Sequence, residues 1–223
     1  MTVTQIIGKS LGHHYGDLWL FRGVNLHLTP GRVTALTGPS GTGKSTLLAI
    51  LAGTTAPVEG SVLRDGVTGI TLIAQAAYGV PSRTVLDHIT LPFLASGIPR
   101  FEAEERARPI ADLFGIEHLL SAPYRQLSGG EAQRLMLARA SAQESELILA
   151  DEPTANLDAH NARGVIAVLG GLAESGAVVV VATHDPLARA ACDDVIDLAD
   201  AAMHENASRS LPHQRFSTSG EAS

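Results

Sequence analysis

The chain has 223 residues, a formal charge of −7 and one cysteine, Cys192. That length suits one domain with room for an inserted lobe. The acidic balance argues against a basic nucleic-acid footprint, and a single cysteine excludes an internal disulfide and fits a reducing compartment. Apolar residues make up 45% but aromatics only 4%, so Ala, Val, Leu and Ile must fill the core.

The opening MTVTQIIGKS has no basic start followed by a long apolar run, and is not expected to be a signal peptide. WLFRGVNLHLTPGRVTALTG alternates and then turns apolar, which predicts two strands about a turn at Thr29, Pro30 and Gly31. The second strand runs into GPSGTGKST and then the helix-like KSTLLAILAG; TGITLIAQ is a third strand candidate. Residues 81–142 read as mainly helical. Within them RFEAEERARPIADLFG is charged and then apolar, and Pro109 is expected to kink or restart its helix.

SELILADEP and GAVVVVATHD are short aliphatic runs that end in acidic or polar residues. They predict buried parallel strands with functional groups at their C-terminal ends. AHNARGVIAVLGGLAESG, between them, predicts the crossover helix. The densest apolar run, AVVVVA at 177–182, is far short of the roughly 20 residues a membrane helix needs. The chain is therefore expected to be soluble, with any membrane spanning left to another chain. Beyond Leu198 the pattern fades into polar sequence, and residues 199–223 are expected to be a mobile tail.

GPSGTGKST, residues 38–46, has the spacing G-x-x-x-x-G-K-S. Glycines let backbone N–H groups wrap phosphates, and the helix that follows points its positive end at the anion. Lys44 would place a charge on the β- and γ-phosphates, and Ser45 would offer its hydroxyl to Mg²⁺. The plain alternative is a glycine-rich turn with a surface lysine, but the loop lies after a strand and before a helix. LILADEP places Asp151 and Glu152 after four apolar residues. Asp151 can hold Mg²⁺ through water, and Glu152 can orient the attacking water; the alternative is a solvated strand end. A second anion site is predicted at QLSGGEAQRLMLARA, residues 126–140, where Ser128, Gly129 and Gly130 open a helix.

In order, the chain shows Tyr15, the loop at 38–46, Gln75, LSGGE at 127–131, LILADEP at 147–153, ANLD at 155–158, and His184 in ATHD. Taken together these resemble the nucleotide-binding subunit of an ATP-binding-cassette (ABC) transporter, over residues 2–198. The resemblance implies an α/β phosphate-loop NTPase core with a mainly parallel sheet. It adds an antiparallel β-subdomain and an inserted α-helical signature subdomain at about 81–142, all within an ABC ATPase domain of residues 1–198. It also implies that two cassettes pack head to tail, each signature closing over the γ-phosphate held by its partner. Gly38, Pro39, Ser40, Gly41, Thr42, Gly43, Lys44, Ser45 and Thr46 would then hold ATP in one chain. Ser128, Gly129, Gly130, Glu131 and Asp158 would reach the nucleotide of the other.

By the same resemblance Tyr15 stacks on adenine, and Gln75 touches Mg²⁺ and the attacking water. His184 hydrogen-bonds the γ-phosphate, so Glu152, His184 and Gln75 form the catalytic set and Ser45, Gln75 and Asp151 the metal set. His13, His14, His27 and His88 lack such context and read as surface residues. The partners implied are ATP, a second copy of the chain and a separate transmembrane permease, which would hold the chain on the cytoplasmic face of the membrane; no nucleic acid is implied. Residues 76–93, with Tyr78, Val80, Pro81 and Leu86, are expected to meet that permease. TANLD and TVLDHITLPF look most like the lipoprotein-release and macrolide-efflux branch, although only 29 residues, 46–74, separate Ser45 from Gln75, fewer than in that branch. A cell-division-type regulator, an importer ATPase and an iron–sulfur-assembly protein are the alternatives.

Overall fold

The structure, a computed structural model, describes residues 4–74, 78–155, 157 and 159–199. The expected sites Gln75 and Asp158 and the tail at 200–223 lie outside the described residues. Three strands form the centre of a five-stranded sheet: β3 (Val33–Thr37), β6 (Leu147–Asp151) and β7 (Val178–Ala182). Their residues are buried on both faces, which explains why they are aliphatic throughout rather than alternating. The alternation is still present in what each face touches. Leu147, Leu149, Val178 and Val180 join one core cluster, while Ile148, Ala150, Val179 and Val181 join the other.

The first of these clusters packs against helix α1 (Lys44–Ala52) and the antiparallel sheet. That sheet has the order β2-β1-β4, with β1 (Gln5–Tyr15), β2 (Leu18–Leu28) and β4 (Glu59–Asp65). The second cluster packs against four helices: α2 (Val85–Ala95), α3 (Arg100–Leu113), α4 (Gly129–Ser141) and α5 (Ala159–Glu174). Helices α2 to α4 are inserted between β5 (Ile70–Ile73) and β6. A short helix, α6 (Pro186–Ala190), leads to β8 (Asp194–Asp197). No described helix is long and apolar enough to cross a membrane.

The five-stranded sheet has the order β5-β6-β7-β3-β8, and each neighbouring pair is parallel. Register decides the function of this arrangement. Leu36 of β3 stands beside Ala182 of β7, and Ala182 stands beside Asp151 of β6. The three strands therefore end level, and the residues that follow each of them emerge at one edge.

Several sequence expectations change. Strands β1, β4 and β8 had no clear signal. Pro109 does not restart its helix, because α3 continues through it. Pro109 is exposed, so water can serve the carbonyl it leaves unpaired. Ala103, Ala107 and Ala111 meanwhile form a buried stripe that holds the helix to the core. Two histidines read as surface residues are buried: His13 is 7% exposed and His88 is 3% exposed. His13 lies edge-on against Tyr15, and both ring nitrogens of His88 have backbone partners. His14 is half-buried against Trp19 and His27 is exposed.

Candidate nucleotide site

The loop after β3 builds the floor of a cleft of about 400 Å³. Ser40, Gly41, Gly43, Lys44, Ser45 and Thr46 line it, with Tyr15 and Leu20 from the antiparallel sheet and Asp151, Glu152 and His184 from β6 and β7. The loop closes on itself by a turn in which the Thr42 N–H and hydroxyl both donate to Pro39 O. Gly43, with φ of 91°, caps α1 in a left-handed conformation and supplies no side-chain cap. The first N–H groups of α1 are thus left without a side-chain acceptor at the positive end of the helix. A Cβ at Gly43 would come within 2.9 Å of Leu20 and Phe21, so glycine here also lets β2 close over the loop.

Lys44 is 8% exposed, and its ammonium donates to Gly38 O at 2.8 Å and Pro39 O at 3.2 Å. A buried cation held by its own loop keeps its charge in the cleft at no cost of an unpaired donor. Ser45 is exposed at the cleft wall. Ser45 and Asp151 together offer a hydroxyl and a carboxylate, and among the described residues no cluster of three or more His, Cys, Asp or Glu side chains could hold a metal alone. This donor set fits Mg²⁺, which takes few protein oxygens and keeps water or phosphate oxygens in its other positions.

Glu152 has the most constrained geometry in the cleft. Its φ is 49°, a left-handed value that costs a non-glycine residue about 1–3 kcal/mol. The bond from its N–H to Ala182 O at 2.9 Å holds it there. The side chain is almost buried, and His184 Nδ1 donates to Glu152 Oε1 at 2.7 Å. His184 itself is largely exposed, so its other nitrogen can face a ligand. Sequence had no signal for the strain at Glu152 or for its link to His184; the first needs backbone angles and the second needs the β6–β7 pairing.

Tyr15 reaches the cleft from the end of β1. Register shifts between Gly8 and Leu11, Leu11 and His13, and His13 and His14 bend this strand, as bulges do when they re-aim a side chain. Tyr15 is 61% exposed, which leaves its ring open for stacking. Leu20, opposite, is a cleft residue that sequence reasoning missed; the hairpin pairing of β1 with β2 brings it there.

Ser128, Gly129, Gly130 and Glu131 do not line this cleft. They open α4, where Ser128 and Glu131 form a capping box. The Ser128 hydroxyl and N–H both donate to Glu131 Oε2, at 2.7 and 2.8 Å. The Ser128 hydroxyl, then its N–H, hold the Glu131 carboxyl below the usual carboxylate range. Nothing lies within 4 Å of a Cβ built on Gly129, so this helix start is open to an approaching surface. A second concavity, of about 350 Å³, lies on the free side of β5 between Ile70, Leu72, Tyr78, Met136, Arg139 and Gln143.

The sequence profile described as ABC transporter matches residues 21–155. The chain belongs to the ABC transporter family. It is an ATP-binding cassette, an ATP-hydrolysing subunit of a transporter. The cassette is 36% identical to the lipoprotein-releasing system ATP-binding protein LolD 1 of Rhodopirellula baltica, over 91% of this chain and 96% of that one. It is 33% identical to the pyoverdine export ATP-binding/permease protein PvdT of Pseudomonas entomophila, over 86% of this chain and 32% of that one. Among solved structures, the cassette MJ0796 bound to ADP and Pi in a dimeric post-hydrolysis state superposes with a TM-score of 0.78. It is 29% identical and covers 86% of this chain and 94% of that one.

Proposed function

We propose that this cassette works as a homodimer that closes on two ATP molecules and powers a lipoprotein- or peptide-releasing permease from the cytoplasmic face of the membrane. In this reading residues 1–198 form the ATPase domain, with its helical subdomain at about 81–142. The observation that carries it is the split between the two anion sites. One cleft gathers the phosphate loop, Asp151, Glu152 and His184 at level strand ends. The signature residues stand elsewhere, at the open start of α4. A second copy related by a twofold axis would bring each signature to the other's cleft, a self-complementary contact.

The residues then have separable roles. The amides of residues 38–46 and the Lys44 ammonium bind the phosphates, and Tyr15 carries the adenine. Ser45 and Asp151 hold Mg²⁺, which when bound neutralises charge on the phosphate oxygens. Glu152 accepts a proton from the attacking water, and His184 holds the Glu152 carboxylate in place. Ser128, Gly129, Gly130 and Glu131 meet the γ-phosphate from the partner. Gln75 and Asp158 keep the roles their motifs imply. The concavity beside β5, lined by Tyr78, which is 78% exposed, is the place for a permease helix, since exposed apolar patches mark interfaces; Val80, 55% exposed, follows two residues later. The lipoprotein-releasing and export relatives support release or export over import.

The test is the association state of Glu152→Gln, whose carboxamide keeps the shape of the carboxylate but cannot take the proton. Sedimentation should show monomers without nucleotide and dimers with Mg-ATP. A protein that stays monomeric at saturating Mg-ATP and high concentration would overturn the shared-site reading.

A further inference from the structure

A buried histidine needs a partner for each ring nitrogen, and His88 has both at a position the ATPase chemistry does not use. It sits on the first turn of α2. Its Nδ1 lies 2.7 Å from Thr84 O, and its Nε2 lies 2.9 Å from the Val80 N–H. A carbonyl can only accept and an amide N–H can only donate. The partners therefore fix one neutral tautomer, with the proton on Nδ1 and the lone pair on Nε2. Val80 belongs to the exposed segment between β5 and α2, so His88 anchors that segment to the helical lobe.

The same ring faces Tyr124, with centroids 5.5 Å apart. Tyr124 begins the 3₁₀ turn Tyr124–Gln126 and stands four positions before Ser128. Gly79 closes the set: a Cβ there would overlap the Tyr124 ring. Only a glycine lets the chain lie flat on that face. Around this cluster the two segments are stitched through backbone bonds, from Tyr124 N to Arg83 O and from Arg125 N to Pro81 O, and Thr84 bridges Pro123. The Leu127 N–H then donates to Tyr124 O, which carries the constraint to the residue before the signature serine.

We infer that His88 is a positioning residue that clasps the exposed segment at 78–80 to the approach of the signature, so that the two move as one body. Through Gly79, Val80 and Tyr124, a displacement imposed on Tyr78 or Val80 is delivered to Ser128 rather than absorbed by a slack loop. The consequence for ATP-driven closure rests on the shared-site reading above; the clasp itself does not.

Hydrogen–deuterium exchange on the full chain tests it, together with nucleotide binding and Mg-ATP-driven dimerisation. His88→Ala should speed exchange by roughly 3- to 10-fold, the loss of a hydrogen bond or two. The effect should extend over residues 78–86 and also over 123–130. Affinity for ATP should be unchanged, while dimerisation should require several times more protein. His88→Gln can present an acceptor to the Val80 amide and should retain both properties. His88→Asn keeps only the shorter reach to Thr84 and should behave like His88→Ala. Gly79→Ala attacks the clasp from the other side and should reproduce the His88→Ala pattern, which covers the case in which His88→Ala fails to fold. Faster exchange confined to 78–88, with 123–130 unchanged, would overturn the clasp. Spread of exchange to 123–130 with unaltered dimerisation would overturn its role in closure. Absent ATP binding in the wild type would overturn the nucleotide reading and leave the exchange result standing on its own.

Discussion

The cleft below β3 and the open start of α4 are both built to receive an anion, but they are held ready in different ways. In the cleft the charged groups are buried and matched within the chain: Lys44 to its own loop carbonyls, Glu152 to His184. At α4 Ser128 is exposed and Glu131 half-buried, and the two satisfy each other in the cap. A buried site can hold a ligand by itself, because its donors are fixed and largely screened from water. An exposed helix start has weak purchase on an anion until another surface excludes the solvent. In the shared-site reading proposed above, the two are halves of one device, with binding placed in one and closure in the other.

The largest effect should come from the cleft. Glu152→Gln should lower ATP turnover by on the order of 10²-fold or more, the range for loss of a placed general base, while nucleotide binding persists. Phosphate release and equilibrium binding, measured side by side, check the split. Wild-type-like turnover would mean that the water is activated elsewhere. Ser128→Arg sharpens the comparison from the other side. A bulky cation at the helix start should abolish dimerisation and turnover together, yet leave first-site binding intact because Tyr15, Lys44 and Ser45 are untouched. If binding fell as much as turnover, the two regions would not be separable.

Two smaller changes probe binding alone. Lys44→Ala removes a charged donor and should weaken ATP binding by about 10- to 100-fold, from the ~1.5–3 kcal/mol of such a bond. Tyr15→Ala should raise the ATP Kd by roughly 5- to 100-fold, from the ~1–3 kcal/mol of base stacking, and should do so equally for ADP. A titration with each nucleotide decides it.

The smallest effect concerns the cap. Glu131 has a depressed carboxyl pKa in the folded chain. Its contribution is thus complete above the unfolded carboxylate pKa, about 4.3, and is lost as pH falls through the lower folded value. Glu131→Gln should therefore be slightly less stable than wild type near neutral pH, with the gap closing in acid. Thermal unfolding across that range would show it, and a gap that widened in acid would contradict the cap.

What the sequence determined was chemistry carried by neighbours along the chain. The phosphate loop needs its glycines and Lys44 within nine consecutive positions, and the helix start needs Ser128 directly before Gly129 and Gly130. Both are local, so spacing alone reveals them. The aliphatic runs of β6 and β7 were legible for the same reason: a strand covered on both faces has no polar side to hide. Strands β1, β4 and β8 were not, since β8 is a strand only by pairing with β3 and β1 is interrupted by its bulges. Tertiary structure alone decided the level ends of β3, β6 and β7, the reach of Tyr15, the strained Glu152 and the burial of His13 and His88. Each depends on partners far away in the chain, such as Glu152 on Ala182 and His184, and long-range register is set by the packing of whole faces rather than by any short stretch of residues.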